Sequence, residues 1–138
     1  MSGIDLVVFD MAGTTVRDDG QVPEAFTTAL AEFGVAVGPD AIRAIRGASK
    51  REVIRGLLPA GAAQAELAER AYACFRGHLA RLFTDTVQVV AGASDVFAWL
   101  RSRNIRVALN TGFDRDTTRM LVAALGWDAG AVDAIVCG

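Results

Sequence analysis

Val7-Val8-Phe9-Asp10-Met11-Ala12-Gly13-Thr14-Thr15-Val16 is the stretch on which the reading of this chain turns. An apolar run ends on a carboxylate, and a turn of small residues follows at once. The run over residues 4–9 predicts a buried strand. In a parallel α/β sheet, chemistry gathers where the strands end. Asp10 therefore stands where a nucleophile or a metal ligand would stand. A second feature sharpens the first. Of the 14 basic residues a single one, Lys50, is lysine. Arginine cannot replace lysine where an amine must lose its proton and attack a carbonyl.

The bulk properties narrow the class. At 138 residues the chain is expected to form one domain, or one domain with a modest insertion. With 52% apolar and 22% charged residues it has ample material for a core. The net charge is −2 and no basic run exceeds two residues, so neither a nucleic-acid partner nor a membrane surface is expected. Met-Ser-Gly leads straight into the first strand, which predicts no signal peptide and a cytoplasmic protein. Cys74 and Cys137 are isolated, without ligand spacing, and are read as reduced thiols.

Working outward, residues 14–22 read as a small hairpin, because Asp19-Gly20 is a strong two-residue turn signal. The period then changes. Pro23 suits the first turn of a helix with Phe26, Leu30 and Phe33 on one face, ended by Gly34. Pro39 opens a short helix with Ile42 and Ile45, closed by Gly47. Ser49-Lys50-Arg51-Glu52 is a capping box that starts a third helix, with Val53, Ile54, Leu57 and Leu58 inside. Residues 62–83 predict a long helix striped by Leu67, Ala71, Phe75, Leu79 and Leu82. His78 falls on or beside that stripe and is read as a half-buried packing residue. A β/α rhythm returns after Thr84: a helix over 94–103 (Val96, Phe97, Leu100), a strand over 105–110, a helix over 114–125 and a strand over 132–137. Asp18, Asp19, Asp114 and Asp116 read as caps and turn residues.

The segments Phe9-Asp10-Met11-Ala12-Gly13-Thr14-Thr15-Val16 and Leu109-Asn110-Thr111-Gly112-Phe113, with the helical insert between them, resemble the haloacid dehalogenase superfamily. The Asp-x-Ala-Gly-Thr pattern is similar to its phosphonatase-like branch, related to phosphonoacetaldehyde hydrolase. The resemblance implies an α/β fold: a Rossmann-like core with a parallel sheet, incomplete here, and an α-helical cap inserted after the first strand. Residues 1–16 and 85–138 would form the partial core, and residues 17–84 a flap and the helical cap. Family members carry a basic residue and a carboxylate pair on later loops. The sequence ends at Gly138 without them, so the chain is expected to be a truncated polypeptide, inactive by itself and left with an uncovered sheet edge that would favour a homodimer.

The resemblance also assigns roles. Asp10 would attack phosphorus and form an aspartyl-phosphate, and Asp10 with the Ala12 carbonyl would bind Mg²⁺, a hard cation suited to oxygen ligands. Ordinary phosphatases of the superfamily place a second Asp at the position of Ala12 to protonate a departing alkoxide. Losing such an acid typically costs about 10²–10⁴-fold. A carbon leaving group needs an electron sink instead, and an iminium between a lysine and an aldehyde is one. Lys50 lies three residues after Gly47, matching the family's Schiff-base lysine. Its place in a first helical turn, near Arg46 and Arg51, disfavours a further positive charge. Gly13, Thr14, Thr111 and Gly112 would bind phosphoryl oxygens through hydroxyl and backbone N–H groups. Phosphonatase proper has a Cys at the position of Gly20, a Met at Arg46 and a His at Val53. Arg46 would therefore bind an extra carboxylate or phosphate on a different substrate. The expected function is hydrolysis of a small-molecule phosphonate or phosphate. A phosphatase or phosphomutase acting on a small organic or sugar phosphate is the second reading, and a catalytically inactive fragment the third.

Overall fold

A computed structural model describes residues 3–84 and 86–138. Asp85, where the second core segment is expected to begin, lies outside the described residues, as do Met1 and Ser2. The elements run β1 (Leu6–Asp10), α1 (Gln21–Ala31), α2 (Pro39–Ala44), α3 (Lys50–Leu57), α4 (Gln64–Thr84), α5 (Ala93–Arg101), β2 (Arg106–Asn110), α6 (Arg115–Ala124) and β3 (Ala134–Val136). They form two compact units. One comprises Met1–Asp18 and Val87–Gly138, the other Asp19–Thr86. No helix among the described residues is long and apolar enough to cross a membrane.

The first unit is a parallel three-stranded sheet in the order β1-β2-β3. Parallel neighbours need crossover connections, and α5 and α6 lie on those connections. Val107, Ala108 and Leu109 of the central strand are buried. On β1 the burial alternates, and Leu6 and Val8 are 46% and 54% exposed. Phe97 of α5 closes the covered side. Its ring lies 5.3 Å from that of Phe9 and 5.0 Å from that of Trp127, whose indole N–H donates to Ser94 Oγ. Val96, expected inside, is 42% exposed because the inward face of α5 is set by Phe97 and Leu100.

The second unit is helical, and α1 against α4 is its spine. Phe26 of α1 meets Phe75 of α4 edge-on at 6.1 Å. Both rings are buried, each worth about 1.5–3 kcal/mol relative to exposure. The buried face of α4 is Ala68, Ala71, Tyr72, Phe75, Leu79 and Phe83. Steps of three and four keep these on one side, whereas Leu67 and Leu82, assigned to the stripe from the sequence, are only half-buried.

The hairpin expected over residues 14–22 does not form. Residues 13–15 make a turn, Val16 bridges to Ala12 and Val89, and α1 already begins at Gln21. The left-handed backbone that Asp19-Gly20 announced is present, with Gly20 at φ 109°, but it caps α1 instead of turning a ribbon. Gln21 is buried and receives the Asp19 N–H, which draws the chain into the helix.

Asp133 fixes β3 onto β2. Its backbone N–H donates to the Val107 carbonyl at 2.7 Å, and its Oδ2 accepts the Val107 N–H at 2.8 Å. Arg101 donates to Oδ1 at 2.6 Å. The Arg101 hydrogen bond first, and that from Val107 second, hold the Asp133 carboxyl below its ordinary range. Such a group adds stability above the unfolded-state value of about 3.9 and loses it as pH falls through the folded value. Comparing urea midpoints of the wild type and Asp133→Asn at pH 7 and pH 3 should show a wild-type advantage at pH 7 that shrinks at pH 3. An equal advantage at both would mean that the carboxylate charge contributes nothing.

Candidate active site

Asp10 is the last residue of β1, and its partner in the parallel register is Asn110, the last residue of β2. The loops that follow both strands thus leave from the same end of the sheet. Asp10 is exposed there, and among the described residues nothing donates to its carboxylate. Its main chain is fixed instead, because Thr15 Oγ1 donates to the Asp10 carbonyl at 2.9 Å.

The first loop is built around one acceptor. The carbonyl of the fully buried Met11 receives the N–H groups of Thr14, Thr15 and Val16 at 2.9–3.0 Å. Gly13 adopts φ +79° and donates its own N–H to Val16. The N–H groups of Gly13 and Thr14, expected to face a phosphoryl group, are therefore used inside the loop. The exposed Thr14 hydroxyl remains, and among the described residues the Ala12 N–H has no acceptor. Ala12 was singled out for its carbonyl; its N–H was not foreseen, because which amides a turn consumes depends on how the turn closes.

The second loop offers a matching set. Thr111 is buried, its N–H donates to Val136, and its hydroxyl oxygen accepts the Phe113 N–H at 3.1 Å. Among the described residues the Gly112 N–H has no acceptor. The amides at the start of α6 are taken by Asp114, whose carboxylate accepts from Asp116 and Thr117. An anion on this side would therefore meet Gly112 and the Thr111 hydroxyl, with the first helical turn already capped. Asp114 is the cap that the sequence suggested. A groove of about 720 Å³ beside α6, lined by Arg115, Arg119 and Ile135 among others, includes neither Asp10 nor Thr111.

The oxygen-only set of the Asp10 carboxylate and the Ala12 carbonyl fits a hard cation such as Mg²⁺. Among the described residues neither group is engaged by a side chain or a backbone N–H. Two protein oxygens, with water and substrate completing the shell, is the usual mode for this ion.

In the helical unit, Lys50 is the first residue of α3, behind the Ser49 cap, whose hydroxyl accepts the Glu52 N–H at 3.5 Å. Lys50 is only 6% exposed. Its Nζ donates to the carbonyls of Ile45 at 2.7 Å and Ala48 at 3.2 Å. These lie past the end of α2, where the chain turns through Gly47 at φ +69°. Arg51, expected to crowd the amine, sits over the Tyr72 ring at 4.8 Å and near Glu69. Arg46 is exposed. His78 is more than packing: it bonds Glu32 and Arg81. No local pattern could have shown that bond, since Glu32 lies on another helix.

A family model described as haloacid dehalogenase-like hydrolase matches residues 4–138. A phosphonoacetaldehyde hydrolase from Hahella chejuensis is 31% identical over 132 residues, covering 86% of this chain and 45% of its own length. The chain spans about half the length of the curated relatives it matches. The structure of a phosphonoacetaldehyde hydrolase-like protein from Oleispira antarctica superposes with a TM-score of 0.79 at 23% identity, over 97% of this chain and 53% of that one. That of a predicted phosphoglycolate phosphatase from Haemophilus somnus gives 0.76 at 11% identity, over 100% of this chain and 64% of that one. At these identities the structural likeness concerns the fold.

Gly13→Ala tests the first loop. A Cβ at Gly13 would meet nothing within 4 Å, so only the left-handed backbone opposes it. That strain costs about 1–2 kcal/mol. Chemical denaturation should show a loss of this size, and an unchanged midpoint would mean that the loop relaxes out of the left-handed region.

Proposed function

The chain belongs to the haloacid dehalogenase-like hydrolases, and from that premise we propose that it supplies the nucleophile and the amine of a phosphonatase-like hydrolase. The unengaged Asp10 carboxylate at the end of β1 carries the reading. It is fixed through its main chain, exposed, and level with the loop that holds Thr111 and Gly112. In the proposed reaction an Asp10 oxygen attacks phosphorus, and the bond from phosphorus to the leaving group breaks. Gly112 N–H, Ala12 N–H and the hydroxyls of Thr111 and Thr14 receive the phosphoryl oxygens. Donors aimed at developing charge are the largest single source of catalysis in many enzymes. Mg²⁺, held by Asp10 and the Ala12 carbonyl, would supply charge neutralisation on the phosphoryl group. The substrate is a small phosphonate or phosphate, and the helical residues 19–86 would act as the cap.

Ala12 selects the leaving group. It has no proton to give, so an alkoxide would depart unaided. For a phosphonate with a neighbouring aldehyde, the Lys50 amine would add to the carbonyl carbon, lose water and form an iminium. The electrons of the C–P bond then flow into that iminium and leave an enamine. Lys50 suits this through its own surroundings. A neutral amine keeps two N–H donors, enough for the Ile45 and Ala48 carbonyls together, while the lone pair attacks. The same carbonyl pair also suits a standing ammonium that binds an anion, which favours as a second reading a phosphatase or phosphomutase acting on a small organic or sugar phosphate.

Two substitutions in the protein that carries this chain separate these readings. Asp10→Asn keeps the shape of the side chain and removes its nucleophilicity. Release of phosphate should fall by at least about 10³-fold with thermal stability little changed, and retention of a tenth of the activity would exclude Asp10 as nucleophile. Lys50→Arg keeps the charge but cannot form an imine. With phosphonoacetaldehyde it should be as inactive as Lys50→Ala, and borohydride should trap an adduct on the wild type alone. Activity that survives in Lys50→Arg but not in Lys50→Ala would assign the lysine to anion binding and favour the phosphatase reading.

A further inference from the structure

Glu32, Cys74 and His78 form a second cluster, wholly within the helical unit and independent of the reaction proposed above. Cys74 and His78 are four residues apart on α4, one turn along the same face. Glu32 is the C-cap of α1, the helix packed against them. One ligand atom from each lies within 4.8 Å of the others. We propose that these three side chains bind a single Zn²⁺ ion, with water in the fourth position.

The donor types point to this ion. A thiolate, an imidazole and a carboxylate are the three ligand classes zinc takes in proteins, and three of them with an open position is a common tetrahedral arrangement. Thiolate excludes Mg²⁺ and Ca²⁺, which take oxygen. The spacing also suits it. Zinc bonds of about 2.0–2.3 Å at tetrahedral angles put ligand atoms roughly 3.3–3.6 Å apart. At present Glu32 Oε1 lies 2.6 Å from His78 Nε2 and Glu32 Oε2 lies 3.2 Å from Cys74 Sγ. Adjustments of about an ångström, within the rotamer freedom of an exposed glutamate, open the cluster to the required size.

Electrostatics favours a cation here. Glu32 caps the negative end of α1, and no basic residue occupies the last turn of that helix. Arg81 donates to His78 Nδ1 at 2.5 Å, which leaves the ring proton on Nε2, directed at Glu32. Burial first, and the Glu32 carboxylate second, push the Cys74 thiol up, so the thiol donates to Glu32. A raised thiol bonded to a carboxylate, and not to the imidazole, is a poor nucleophile. That argues against a cysteine–histidine catalytic pair. On binding Zn²⁺ the thiol proton passes to solvent, the ring proton moves from Nε2 to Nδ1, and Nε2 and Sγ take the metal. The exposed Arg81 guanidinium must then leave Nδ1, which makes Arg81 a competitor of the ion.

The test is titration of this chain with Co²⁺ and with Zn²⁺. Co²⁺ should give one equivalent of a thiolate charge-transfer band, displaced by Zn²⁺, which Asp10→Asn and Cys137→Ser retain. Cys74→Ser should abolish the band and weaken Zn²⁺ by more than the ten- to hundredfold that loss of an outer-shell partner costs. Arg81→Ala should tighten Zn²⁺ severalfold. Should Cys74→Ser fail to fold, alkylation of the wild type decides: Zn²⁺ should protect Cys74 and leave Cys137 reactive. Absence of a thiolate band, a band that survives in Cys74→Ser, or equal alkylation of Cys74 with and without Zn²⁺ would overturn the proposal.

Discussion

The parallel pairing of β1 with β2 is the constraint from which the rest follows. It makes Asp10 and Asn110 neighbours and sends both following loops out of one end of the sheet. Parallel strands cannot be joined by a hairpin, so the chain must leave the sheet and return. A long excursion is cheap, since each doubling of a closed loop costs only about 0.6 kcal/mol. Here the excursion holds a helical unit with its own core, and its ends are tied on each side. Within the sheet unit, Arg17 donates to Gln88 through both main chain and guanidinium, and Val16 bridges to Val89. Within the helical unit, Gln21 Nε2 donates to Thr86 Oγ1. The first loop is thereby squeezed between a strand end and a bridge only a few residues later. This is why Met11 is buried and its carbonyl gathers three amides.

What the sequence revealed, and what it hid, follows the range of the forces involved. Asp10, the strands around Phe9 and Leu109, the Ser49 and Asp114 caps and the helical insert were legible because each rests on residues within one turn or one strand. The hairpin was misread because Asp19-Gly20 reports a left-handed backbone and not its use, and the helix claimed it. The stripe of α4 slipped by one residue at both ends, since Leu67 and Ala68, like Leu82 and Phe83, are adjacent apolar choices that only the packing against α1 resolves. The contact of His78 with Glu32 had no local signature at all. Nor did the burial of Lys50, which depends on carbonyls exposed by the turn through Gly47. Composition marked that lysine as unusual; only the fold gives it an environment.

That environment adds a second influence to the helix dipole. A first-turn position opposes a positive charge by about 0.3–1 kcal/mol. A hydrogen bond from a charged group contributes about 1.5–3 kcal/mol, and Lys50 makes two to carbonyls. The carbonyls act against the dipole at this position, and Arg51 is engaged with Tyr72. The carbonyl pair holds the nitrogen in place, since an ammonium and an amine both have N–H groups enough for it.

Ala12 gives the complementary half of this argument. Among the described residues its N–H and carbonyl have no partner, and its methyl group has no proton to transfer. A phosphate ester whose alkoxide departs without an acid forfeits about 10²–10⁴-fold. A phosphonate next to an aldehyde forfeits nothing, provided an amine turns the carbonyl into a sink. Under the proposed phosphonatase-like reading, the missing acid and the single, buried lysine would serve one chemical choice. The phosphatase reading accommodates the lysine as an ammonium that binds an anion, and the alanine is what it has to explain.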